Sequence, residues 1–190
     1  MQRLILLIII TLGLFGKLDA QTITRARFVL SPQAEGFRTI DLEINNRYYL
    51  GIGGEGEILY IETKAGAELL DEDCEKLGFP IRYYDKFDIH DIPGRIKSIG
   101  NIKITYNNVF DIHEVKGSLK TIGDMAIRYY NTFDIHDPKE KVKSVGKVQI
   151  KYYNEFDAGN NFGGIKSVTG NTSALTVSAG RRYKLYSGRG

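Results

Sequence analysis

Cysteine occurs once in the 190 residues, tryptophan not at all, and proline only four times. A single thiol, Cys74, excludes an internal disulfide framework and any multi-cysteine metal site. No base stands beside Cys74 in the sequence, so it reads as a small apolar side chain in a packed position. Charge of one sign is also scarce. The chain has 26 basic and 23 acidic residues, a net charge of +3, which excludes a bulk electrostatic nucleic-acid binder. There is no His-Glu-x-x-His, no G-x-S-x-G and no phosphate-binding glycine loop. The expectation is therefore a non-enzyme, with no catalytic residue and no cofactor. What the chain does have is 12 tyrosines, 9 phenylalanines, 21 glycines and 42% hydrophobic residues. That is enough apolar material for a packed core, with many turns between strands.

The first 20 residues have the order of an export signal. Arg3 gives a positive start, residues 4–16 are nearly unbroken apolar, and Ala20 closes a short polar stretch. The apolar run is too short to cross a bilayer comfortably as a helix, which takes roughly 20 residues. Cleavage after Ala20, a periplasmic or extracellular location and no transmembrane segment in the mature chain are expected.

A 23-residue repeat dominates the rest. Four copies begin at Ile81, Ile104, Ile127 and Ile150. Their shared frame is I-x-Y-Y/N-x-x-F-D, a variable polar loop, then G-x-I-K-S-I-G. Phe87, Phe110, Phe133 and Phe156 are equivalent, as are Asp88, Asp111, Asp134 and Asp157. Lys97, Lys120, Lys143 and Lys166 share a further position. Ile102, Ile104 and Tyr106 alternate with polar neighbours, the period of a half-buried strand. Gly100-Asn101, Gly123-Asp124 and Gly146-Lys147 suit two-residue type II′ turns. In the fourth copy Thr169 stands at the turn-glycine position and Gly170 follows.

Four parts follow from this. Residues 1–20 form the signal, 21–80 an N-terminal β segment with a degenerate repeat, 81–170 the four hairpin repeats, and 171–190 cap strands and a tail. Strand candidates before the repeats are residues 28–30, 37–44, 47–52 and 58–61; after them come 174–177 and 183–186. Residues 67–77 read equally as a degenerate repeat or as a short helix burying Leu70, Cys74 and Leu77, ended by Gly78. The fold class expected is all-β: an antiparallel meander of tandem β-hairpins, strongly twisted or curled towards a barrel.

The frame resembles exported bacterial proteins that carry tandem Y-Y-D-x-F-D and G-K-I-K-S-I-G units. That resemblance covers residues 81–170 and implies a secreted β-repeat protein without an assigned activity. Tyr83-Tyr84-Asp85 with Gly94-Arg95-Ile96 is also similar to YD repeats, and Tyr152-Tyr153 with Phe156-Asp157 to cell-wall-binding repeats. The tryptophans those wall-binding repeats place in their clefts are lacking here.

Three groups of side chains are candidates for function. Tyr84, Tyr130 and Tyr153 alternate with the apolar Tyr83, Tyr106, Tyr129 and Tyr152, so they are expected to point outward, where they suit cross-strand packing that stiffens the sheet or, as the alternative, a platform for sugar rings or a partner protein. His90, His113 and His136 all lie in Asp-Ile-His-Asp/Glu motifs. Imidazole and carboxylate are metal-ligand types, but loops from successive hairpins recur roughly 10 Å apart, too far for one ion to join two. Asp in such a loop also caps its own backbone. The lysine row suits an anionic polymer or a solvated sheet face. The expected function is an exported structural or binding module, with an envelope polysaccharide or protein as partner and nucleic acid excluded. The alternatives are a carbohydrate binder using the outward tyrosines, and a metal protein using the histidine loops.

Overall fold

Glycine sets the turns that organise the larger of two sheets. Gly100, Gly123 and Gly146 have φ of +56°, +54° and +53°, while the residues after them do not have positive φ. That is the type II′ pattern, and it joins strands whose terminal residues pair directly, Ile99 with Ile102 and Ile122 with Met125. The computed structural model describes residues 20–31, 33–157, 159 and 161–180. Residues 1–19 of the expected export signal (1–20), the strand candidate at 183–186 and the rest of the tail lie outside the described residues.

Four strands precede the repeats: β1 (Ile23–Leu30), β2 (Phe37–Ile44), β3 (Tyr48–Gly53) and β4 (Ile58–Thr63). A short helix, α1 (Asp71–Lys76), follows. The repeats then supply β5 (Ile81–Tyr83), β6 (Ile96–Ile99), β7 (Ile102–Tyr106), β8 (Leu119–Ile122) and β9 (Met125–Tyr129). They continue with β10 (Val142–Val145), β11 (Val148–Tyr152) and β12 (Ile165–Thr169), and β13 (Leu175–Ala179) ends the described chain. The eight strands β5 to β12 form one antiparallel meander in chain order. The other sheet has the order β13-β1-β2-β3-β4, with β13 parallel to β1.

The protein is thus all-β, but as two open sheets and not a closed barrel. The meander of the repeats ends at β12 and does not run on into β13. Thr169 stands in place of the turn glycine, and after β12 the chain crosses to β13 in the other sheet. Asn171 secures that crossing. Its Oδ1 accepts from Val177 N (2.8 Å) and its Nδ2 donates to Val177 O (3.0 Å).

Both sheets contribute to one core. Phe28, Leu42, Ile44 and Leu50 come from the first, and Ile96, Ile99, Ile104, Ile122 and Ile150 from the second. Between the sheets, Val142 N donates to Ala34 O (2.9 Å) and Ile96 N to Gly56 O (3.2 Å). Helix α1 decides the 67–77 segment over 71–76, but its buried face is smaller than expected. Cys74 is buried, whereas Leu70 and Leu77 are exposed. Burial first, then Asp71 and Asp73, pushes the Cys74 thiol up to about 11, so it stays protonated at neutral pH.

Candidate functional site

Each repeat loop is built on the same carboxylate. Asp88 Oδ2 accepts from Asp85 N (3.0 Å), and Asp85 Oδ1 in turn accepts from Phe87 N (2.7 Å). Asp111, Asp134 and Asp157 repeat the first bond to the N–H of Asn108, Asn131 and Asn154. The other oxygen of each aspartate accepts from a strand lysine. Lys97 reaches Asp88 and Lys120 reaches Asp111, both at 2.6 Å; Lys143 and Lys166 pair with Asp134 and Asp157.

These lysines reach the loops because each is the extra residue of a β-bulge. Ser98 pairs with Arg82 but Ile96 with Tyr83, leaving Lys97 unopposed. Lys120, Lys143 and Lys166 occupy the same irregularity in their ladders. A bulge re-aims a side chain without ending the sheet. The lysine row is therefore not a free basic face: each ammonium is committed to a loop aspartate.

The electrostatics follow from the pairing. The Lys97, Lys120 and Lys166 hydrogen bonds hold Asp88, Asp111 and Asp157 below the usual aspartate range. For Asp134, burial pushes up, but Lys143 and the Asn131 N–H outweigh it and the net shift is down.

The expected outward orientation of these tyrosines is corrected. Tyr84 and Tyr130 are only 8% and 7% exposed. Their hydroxyls donate to Ile104 O (3.0 Å) and Ile150 O (3.1 Å), two strands away in the next repeat. Their rings pack edge-on against Tyr106 and Tyr152, with centroids 6.0 and 5.7 Å apart. Lys97 and Lys143 sit over the two rings, and burial raises both phenol pKa values. Tyr153 is half-buried under Lys166. Tyr83, expected in the core, is instead exposed and donates to Asp71 Oδ2 (2.9 Å).

The histidines are spread along the loop edge, each packed on the phenylalanine of the following repeat. His90 meets Phe110 and His113 meets Phe133 at 4.7 Å between centroids, and His136 meets Phe156 at 4.5 Å. His136 Nδ1 also lies 3.1 Å from Glu155 Oε2. The rings are not brought together, and no cluster of three His, Cys, Asp or Glu occurs among the described residues.

What sequence reasoning missed is the surface these stacks make. Phe87, Phe110, Phe133 and Phe156 are 78, 70, 70 and 76% exposed, and Ile89, Ile112 and Ile135 are 79, 80 and 73% exposed. Polar rungs join neighbouring loops, Asn131 Nδ2 to Glu114 Oε1 (3.3 Å) and Asn154 Nδ2 to Asp137 Oδ1 (3.2 Å). The signal was present in the sequence: a phenylalanine recurring inside a polar loop, outside any strand alternation, has no core position to fill.

A second polar cluster lies on β2. Asp41, fully buried, accepts from Tyr60 Oη (2.7 Å) and Arg27 Nε (3.2 Å). Its oxygens are satisfied within the sheet, so it serves as a structural ion pair.

Comparison with family models, with curated proteins and with solved structures finds no match.

Proposed function

We infer that the chain is an exported, non-enzymatic binding module whose contact surface is the ladder of repeat loops. The observation that carries this reading is the row of seven large apolar side chains, each at least 70% exposed, at equivalent positions of successive loops. Single exposed apolar residues are ordinary, but a contiguous row marks an interaction surface. Export is supported by the order of charge, apolar run and Ala20 in the first 20 residues.

The partner that fits is a basic protein segment with an apolar face. Residues 85–94, 108–117, 131–140 and 154–163 hold ten carboxylates against three lysines, in a chain of net charge +3. Strand lysines neutralise four of the ten, which leaves a negative rim beside the ridge. Charge complementarity of this kind sets orientation and on-rate, while the apolar ridge supplies the buried contact.

The test is a double variant, Phe110→Ser with Phe133→Ser, probed by calorimetry with an alternating Lys-Phe peptide. Both rings are exposed, so the melting temperature should hold while peptide affinity falls by tenfold or more. Unchanged affinity, or a ridge that takes up envelope oligosaccharide and ignores the peptide, would end this reading.

A further inference from the structure

We propose that Gln21, once the segment before it is removed after Ala20, closes to a pyroglutamate that caps the mature chain. This rests on the export reading above, and specifically on its cleavage point. Ala20 is exposed, whereas the next two residues are tied into the fold. Thr22 N donates to Asn45 Oδ1 (2.8 Å) and Asn45 N to Thr22 O (2.9 Å). Gln21 bonds to Asn101, 80 residues away in the first II′ turn, in both directions.

Those two bonds address the two atoms that cyclisation joins. Gln21 N donates to Asn101 Oδ1 (2.7 Å), and Gln21 Oε1 accepts from Asn101 N (3.1 Å). The carboxamide is thereby folded back onto the same residue that holds the backbone nitrogen. It lies flat on the turn; a Cβ on Gly100 would stand 2.1 Å from Oε1 and 2.7 Å from Cδ. The turn thus needs glycine both for its positive φ and for this approach.

The chemistry balances without a co-reactant. The neutral α-amine attacks its own Cδ and forms the ring N–Cδ bond. The Cδ–Nε2 bond breaks, and Nε2 leaves as ammonia, taking the proton that the attacking nitrogen gives up. Negative charge develops on Oε1 during the addition, where the Asn101 N–H already points. Asn101 Oδ1 orients the amine. The lactam keeps one N–H and the same oxygen, so both bonds to Asn101 survive closure. The bond from Nε2 to Gly78 O (3.1 Å) is given up. Asn101 is a positioning residue, present in the first II′ turn and replaced by Asp124 and Lys147 in the next two.

Intact mass and N-terminal sequencing of the exported full chain test this. The expected species begins at Gln21, is lighter by one ammonia, resists sequential degradation and is opened by pyroglutamyl aminopeptidase. Chain freshly released with a free Gln21 amine should close faster as pH rises through the amine's pKa of about 7.7–8.0. Asn101→Ala should close several-fold more slowly while its circular dichroism stays that of the parent. A chain that begins at Gln21 and keeps its full mass overturns the proposal and leaves export standing. A chain beginning elsewhere overturns it together with the cleavage point. Equal closure rates in Asn101→Ala overturn the role of the turn.

Discussion

Lys97 Nζ lies 2.6 Å from Asp88 Oδ1 and 5.3 Å from the centre of the Tyr84 ring. One ammonium thus ties a strand bulge, a loop carboxylate and a buried aromatic into a single unit. With Asp134, Lys143 and Tyr130 the same unit recurs two repeats later.

The first prediction concerns acid. All four loop aspartates have folded-state pKa values below the ordinary aspartate value of about 3.9. A depressed folded pKa contributes stability above the unfolded value and loses it as pH falls through the folded one. Urea midpoints should therefore be flat near neutrality and drop below about pH 4. Lys143→Met should shallow that drop, because Asp134 loses the ammonium that holds its pKa down. Asp134→Ala should cost about 1 kcal/mol at neutral pH, since the Asn131 N–H loses its acceptor.

Glu140 stands at φ +65°, where Gly94, Gly117 and Gly163 occupy the equivalent positions of the other repeats at +80° to +86°. A non-glycine residue held in the left-handed region costs roughly 1–2 kcal/mol. Glu140→Gly should raise stability by about 0.5–1 kcal/mol, part of the gain being offset by a freer unfolded chain. Denaturant titration checks the direction; a lower midpoint would show that the Glu140 side chain stabilises the loop.

Gly123 tests the II′ turn in isolation from crowding. A Cβ there would meet Ile102 and Ile23 only at 3.6 Å, an ordinary contact. The penalty of Gly123→Val is therefore the positive φ, roughly 1 kcal/mol or more for a β-branched residue. Chemical denaturation that leaves the midpoint unmoved would argue against the turn type.

Tyr130→Phe separates a packing role from a binding one. The hydroxyl is buried and donates to Ile150 O, so its loss should cost about 1 kcal/mol. Binding of the Lys-Phe peptide should be unchanged, because the ring is covered by Lys143 and faces no ligand. A variant with parental stability and lost binding would restore the tyrosine platform.

Much of this protein was readable one residue at a time. Strand alternation around Ile104 and Ile150, the turn glycines and the 23-residue step are local, and local chemistry suffices for them. The side-chain assignments failed where a non-local event intervened. Alternation places Tyr84 and Lys97 on an outward face, but a one-residue bulge breaks the count. The lysine is turned into the loop, and the tyrosine is covered and bonded to a carbonyl two strands away. Neither the bulge nor the partner carbonyl is encoded by neighbours in the chain. The ladder has the same origin. Each histidine meets a phenylalanine 20 residues further on, because the sheet stacks equivalent loops side by side. The sequence by itself determined the repeating unit and its turns; only the tertiary structure decided which side chains of that unit are buried and which are left exposed, since burial depends on what the next repeat places alongside.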